Sequence, residues 1–142
     1  MGIYRLCDGA WRSPLIVFGP HLNTWAASIL GDQIDGICIG NELSGKLKAV
    51  VVYCGFSGKS CVIHIASEGQ HWMTKGFLRM AFEYPFKNLG LKVILATICA
   101  NNEKSLRLSR HLGFQEVATI ADAHNDGDLV ILKMRSEDCK WI

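Results

Sequence analysis

The sequence has no excess of one charge, no Cys-x-x-Cys pair, no proline-rich tract and no apolar run long enough to cross a bilayer. Fifteen Lys and Arg against thirteen Asp and Glu leave a formal net charge of +2. Such a balance makes no field that would gather nucleic acid or mark an acidic tail, so no nucleic-acid partner is expected. In the first twenty residues the longest stretch free of polar residues and proline is Leu15 to Gly19. That is shorter than the apolar region of a signal peptide, and no run approaches the roughly 18 residues of a membrane span. No membrane partner is expected, and the chain reads as cytoplasmic, in a bacterial or a host cell. With three prolines, no internal repeat and no low-complexity or charged linker, nothing divides residues 1–142. At 49% hydrophobic they form one domain with enough apolar material for a real core.

Six cysteines stand at positions 7, 38, 54, 61, 99 and 139. The even count admits disulfides, but Cys38, Cys54, Cys61 and Cys99 sit inside apolar runs, as small hydrophobes do, and all six read as reduced structural thiols. His21, His71 and His124 share no metal-ligand spacing with a cysteine or a carboxylate, so no metal is expected.

What is present is a sequence of elements. Residues 13–19, SPLIVFG, read as a strand. Residues 20–32 read as a helix with Leu22, Trp25, Ala26, Ile29 and Leu30 on one face and Gly31 at its end. Two strands then flank the Ser44-Gly45 turn, and a second turn at Ser57-Gly58-Lys59 leads into SCVIHIAS. The first half is thus an antiparallel meander. Phe77, Met80, Ala81 and Tyr84 then recur at helical spacing, with Pro85 bending or ending the regular part. KVILATICA, 92–100, is the unbroken apolar run expected of a strand covered on both faces. Strand, helix and strand within this span predict parallel pairing around Ile63 and Leu95, hence a mixed sheet. A further helix starts at Asn102, a good N-cap, with Glu103 at its positive end, Arg110 and His111 at its negative end and Gly113 beyond. Its expected inner stripe is Leu108 and Leu112 with Ser105 and Ser109; Lys104, Arg107 and His111 form a basic outer one. Two last strands, FQEVATIA and DLVILKMR, are joined by the polar turn His124 to Asp128.

Asn102-x-x-Ser105 followed by Leu112-Gly113-Phe114, after a buried strand that itself follows strand, loop and helix, resembles the GNAT superfamily of acyl-CoA N-acyltransferases. The resemblance covers roughly residues 14 to 136. The Trp72 to Lys75 loop, the Tyr84-Pro85-Phe86 helix end and Cys139-x-Trp141 are similar to short GNAT-like proteins encoded by phages. It implies an α/β (α+β) fold: a mixed, mostly antiparallel sheet of six to seven strands with a parallel strand–helix–strand unit and helices on both faces. It also implies acetyl-CoA as co-substrate and an N-acetyltransferase activity. The family's phosphate loop, Q/R-x-x-G-x-G/A, falls on Gln70, His71, Trp72, Met73, Thr74 and Lys75, so Met73 and Lys75 replace its two small residues. Such a loop aims backbone N–H groups at a pyrophosphate from a helix N-terminus. Glycine eases close approach but adds no donor, so the amides of residues 71 to 76, through Gly76, can still serve if Met73 and Lys75 point outward. Lys75 can add its charge. Trp72 either covers the cofactor or packs as a staple against the helix.

By the same resemblance Ile65 and Ala66 line the acetyl position, with an oxyanion donor near Ile65, and Asn102 and Ser105 belong to the cofactor site. The acceptor amine must shed a proton before it attacks the thioester. His64 has the titration range of such a base, though a hydrogen-bonded core histidine on an otherwise apolar strand is the reading favoured over it; Glu68, Glu42 and Tyr53 are weaker candidates. Ser109 stands where many family members carry a tyrosine that protonates the leaving thiolate; it either relays a proton through water or packs as a small residue against the sheet. The basic stripe is a 3′-phosphate or partner contact, or a solvated face. A protein amine is the favoured acceptor, because no segment is long enough to form a lid over a small substrate. The alternative is a catalytically silent module that binds a partner protein with or without CoA. The reading leaves room for a homodimer.

Overall fold

Ser44 and Gly45 both lie in the left-handed region, with φ of 57° and 79°, and this two-residue turn reverses the chain with the twist that antiparallel strands need. It sits inside a computed structural model that describes residues 15–142 and the backbone of two mutually paired strands, Tyr4–Arg5 and Trp11–Arg12; Cys7 lies outside the described residues. The elements are β1 (Leu15–Phe18), α1 (His21–Leu30), β2 (Ile37–Leu43), β3 (Lys46–Ser57), β4 (Ser60–Ser67), α2 (Lys75–Glu83), β5 (Val93–Cys99), α3 (Glu103–Leu112), β6 (Gln115–His124) and β7 (Gly127–Arg135). The seven strands form one sheet in the order β1-β2-β3-β4-β5-β7-β6. Only β4 and β5 run parallel, with Val62 opposite Leu95. No helix of the described residues is long and apolar enough to cross a membrane.

The two faces carry separate cores. α1 lies over β2, β3 and β4, burying Leu22 and Ala26 against Cys38, Val50, Val52 and Ala66. On the other face Phe77, Leu78 and Phe82 of α2 and Leu106 and Leu112 of α3 pack on Ile39, Val51, Ile63, Ile94 and Leu132. The expected apolar stripe of α1 is shorter than the sequence suggested: Ile29 and Leu30 are 40% and 36% exposed. The helix stops covering the sheet at β4, so its last turn has nothing beneath it. For the same reason β5 is buried at Ile94 and Ala96 on one face and only half-buried at Val93, Leu95 and Thr97 on the other, where burial returns at Cys99. In α3 the buried positions are Leu106, Ser109 and Leu112, with Leu108 and Ser105 half-buried; the helix is rotated from the expected stripe. β6 is exposed at every residue and runs on to His124, which pairs across the turn with Gly127.

α3 is closed at both ends. Asn102 accepts a hydrogen bond from the Ser105 N–H at 3.2 Å, and Gly113, at φ 110°, donates back to the carbonyls of Ser109 and Arg110. The C-terminal segment completes the job: Trp141 Nε1 donates to the Leu112 carbonyl at 2.8 Å and Lys140 Nζ to that of His111 at 3.0 Å. α2 is capped by Thr74, whose hydroxyl accepts from the Phe77 N–H at 3.1 Å.

At the other end of α2 the chain passes into a wider turn, Tyr84–Asn88, in which each carbonyl reaches one residue further. Pro85 forces this change, because it has no N–H to give to the carbonyl of Ala81 four residues back. The Tyr53 hydroxyl supplies the missing donor, bonding the Ala81 carbonyl at 2.6 Å from the interior of β3. Tyr53 is fully buried, and burial raises its pKa well above the usual tyrosine value. It is a structural donor held protonated, and so does not serve as a base. Tyr53→Phe leaves a buried carbonyl unpaired and is expected to cost about 1–3 kcal/mol of stability, read as a lower urea midpoint at unchanged slope.

Candidate active site

β4 and β5 are paired only at Ser60–Val93, Cys61–Ile94 and Val62–Leu95. Beyond that each follows its outer neighbour: β4 stays on β3 as far as Ser67, and β5 stays on β7 as far as Cys99. A cleft of about 530 Å³ opens between them. Side chains alternate along a strand, so the cleft has two mouths. Toward α3 it is walled by Ile65, Ser105, Leu108, Ser109 and Phe114; toward α1 by Leu30, His64 and Thr97.

The β4 edge of this cleft is polar. The Glu68 N–H donates to the Lys48 carbonyl of β3 at 2.9 Å. Backbone groups in an antiparallel ladder turn to alternate sides. Counting back by twos, Ala66 and His64 face β3, and the N–H of Ile65 faces the gap. Beside it, the His64 imidazole is half-buried and makes no hydrogen bond to any described residue. Burial lowers its pKa from the ordinary value near 6.5, which holds it neutral at physiological pH, the form that accepts a proton.

Of the residues singled out in the sequence, the cleft gathers His64, Ile65, Asn102, Ser105 and Ser109. Asn102 also caps α3, and Ser109 is 8% exposed. Ala66 is fully buried in the α1-side core. The loop residues Gln70, His71, Trp72, Met73, Thr74, Lys75 and Gly76 follow β4 beyond the cleft lining. Within the loop the left-handed positions are Gly69 at φ 71° and His71 at φ 66°, and not Met73 or Lys75. No backbone conformation there demands glycine at 73 or 75. Met73 and Lys75 are exposed. Trp72 is 7% exposed and packs edge-on against Phe77, the staple arrangement. The Thr74 N–H is spent on the Trp72 carbonyl at 2.9 Å and the Phe77 N–H on the Thr74 cap. The N–H groups of Lys75 and Gly76 have no partner among the described residues.

The sequence reading missed the far end of the cleft, where Cys99, Asn101, His124 and Asp126 form a chain. The Cys99 thiol donates to Asn101 Oδ1 at 2.9 Å, Asn101 Nδ2 to the Asp126 carbonyl at 3.1 Å, and the Asp126 N–H to His124 Nδ1 at 3.1 Å. With Nδ1 accepting, a neutral His124 carries its proton on Nε2. In the sequence these residues read only as a polar turn. Pairing of β5 with β7, Cys99 opposite Leu129, brings them to the cleft. Glu42 and Glu68 lie elsewhere, in a shallow concavity with Trp25, Lys46 and Lys48. Lys104, Arg107 and His111 are exposed.

No family model matches the sequence, and no curated protein does. Solved structures do. The yncA protein of Salmonella typhimurium, solved with its cofactor acetyl-CoA, superposes with a TM-score of 0.69 at 13% identity over 91% of this chain and 97% of that one. The ribosomal-protein-alanine N-acetyltransferase of Brucella melitensis gives 0.67 at 16% identity over 85% and 99%. A variant of the spermidine N-acetyltransferase SpeG of Vibrio cholerae gives 0.61 at 17% identity over 75% and 66%. At these identities the likeness is one of fold: the chain has a GNAT-like α+β fold, with a mixed, mostly antiparallel seven-stranded sheet and three α-helices among the described residues.

His64 makes a stability prediction independent of any activity. Because its folded pKa is depressed, the unfolded chain binds the proton more readily, so stability is full above about pH 6.5 and falls as the pH drops below it. In paired urea titrations at pH 7.5 and 5.5, wild type should lose more stability between the two than His64→Gln does.

Proposed function

We propose that the chain is an acetyl-CoA-dependent N-acetyltransferase, with the thioester in the β4–β5 cleft and the amine arriving from the α1 side. The observation that carries this is the β4 edge: the Ile65 N–H facing the gap and an unpartnered, neutral His64 beside it. These are the two groups an acyl transfer to an amine requires. The Ile65 N–H receives the negative charge that develops on the carbonyl oxygen as the amine attacks. His64 takes the proton that the amine gives up as the C–N bond forms. The C–S bond then breaks, and the thiol, with a pKa of about 8.5, leaves as its anion at small cost near neutral pH. Ser109, in the same cleft, can relay a proton to it through water. The amides of Lys75 and Gly76, at the N-terminus of α2, are the donors for the pyrophosphate, and the Lys75 ammonium adds charge. Asn102 and Ser105 border the pantetheine side.

A protein amine is the acceptor this shape favours. The α1-side mouth is bordered by Leu30, in the last turn of α1, and no other described residue ahead of β4 lines the cleft. A second reading, a silent module that binds a partner protein, draws on two facts: Thr74 spends its amide internally, and Ser109 stands in place of a stronger acid.

Acetyl-CoA at millimolar concentration should raise the Tm and saturate in a titration; no effect would exclude the transferase. With an acceptor found on a peptide array, His64→Ala should lower kcat on the order of 100-fold, with little change in acetyl-CoA affinity and a flattened acidic limb of the pH–rate profile. Full kcat with the wild-type limb would make His64 a packing residue. Lys75→Ala should weaken acetyl-CoA binding by about 1–2 kcal/mol and make what remains less salt-sensitive. Unchanged affinity would place the ammonium in solvent.

A further inference from the structure

The loop before α2 is held from across the sheet. Asn41, on β2, is 1% exposed, and its Nδ2 donates to the Trp72 carbonyl at 2.9 Å, a contact between residues 31 apart in sequence. A carbonyl can only accept, so the amide orientation is fixed. Asn41 Oδ1 is then left buried with no partner. The same Trp72 carbonyl also accepts the Thr74 N–H at 2.9 Å. Two donors therefore turn this oxygen into the protein, and Thr74, so placed, caps α2 through the Phe77 N–H. A continuous chain of contacts runs from β2 to the first turn of the helix.

As a device for stability this is poor. One bond is made, one acceptor is orphaned, and an apolar side chain of the same size would bury neither. Its effect is geometric. A carbonyl left free to turn outward would point its negative end at whatever anion the helix N-terminus holds. Where the loop carries Met73 and Lys75, it also has two Cβ atoms that must be kept to one side for an anion to approach.

Resting on the reading of this loop as the pyrophosphate site, we propose that Asn41 is a positioning residue for the co-substrate: by holding the Trp72 carbonyl inward it keeps the Lys75 and Gly76 amides facing the anion in a loop without glycine at 73 and 75. The test is Asn41→Leu, with Asn41→Ser as a second variant that cannot span the distance. The urea midpoint of Asn41→Leu should hold or rise, while amide exchange at residues 72–76 quickens without any ligand. The Kd for acetyl-CoA should rise about tenfold or more, with kcat at saturation within about twofold of wild type. If Asn41→Leu, or the serine variant should leucine not fold, binds acetyl-CoA as wild type does, or exchanges its loop amides at the wild-type rate, the role is overturned. If wild type itself binds no acetyl-CoA, the transferase reading fails first and takes this role with it. The two failures are told apart by the wild-type titration alone.

Discussion

Three rungs of parallel pairing join β4 to β5, and the cleft depends on their ending at Val62 and Leu95. Each strand has a stronger commitment on its other side, β4 to β3 over six consecutive rungs and β5 to β7 over seven. The right-handed twist of the sheet rotates the two pairs apart as they advance. Once apart, the strands expose what a sheet normally conceals: a backbone N–H with no ladder partner, and side chains on both faces reachable from one cavity. An unpaired amide in a half-buried site must find water or a ligand, and the Ile65 N–H, turned away from β3, is such an amide. The half-buried outer face of β5, the uncovered last turn of α1 and the exposure of Leu30 all follow from the same opening.

A second theme is that local breaks in the helices are repaired by donors from distant segments. Pro85 orphans the Ala81 carbonyl, and Tyr53 answers it. The Trp72 carbonyl, outside α2, is taken by Asn41, and the last carbonyls of α3 by Lys140 and Trp141. Each repair ties a helix terminus to a strand or to the C-terminal segment. The elements around the cleft are thereby fixed relative to one another, as a site must be if its groups are to meet a reacting centre within a fraction of an ångström.

The loop at 68–74 shows why the identity of a residue and the conformation it must adopt are separate questions. Met73 and Lys75 look like losses against a glycine pattern, yet the left-handed positions are occupied by Gly69 and His71. A histidine at positive φ carries strain of order 1 kcal/mol, the kind that persists where surrounding contacts over-determine the backbone. Unpaired N–H groups lie in the first turn of α2, at Lys75 and Gly76, because a helix begins there.

Most of the architecture was legible in the residues, because turns, caps and periodicity are local. The Ser44-Gly45 hairpin, the β4 strand, the Pro85 break, the Asn102 and Gly113 caps and the parallel step near Val62 each follow from a few neighbouring side chains. Burial was legible only in part: Ile29 and Leu30 are as apolar as Leu22, and what separates them is whether a strand lies underneath. At the site, His64, Ile65, Asn102, Ser105 and Ser109 were read from chemistry and resemblance, and the fold brings them to one cleft. His124, Asp126, Cys99 and Asn101 were not read as a group, nor was the Asn41 contact with Trp72. The bonds that bring these residues together, Asn101 to Asp126 and Asn41 to Trp72, span 25 and 31 residues of sequence. Local pattern fixes which segments become strands and helices, since backbone preference acts over a few residues; which polar atoms face one another across a gap is set by strand order and register, which exist only once the sheet has formed.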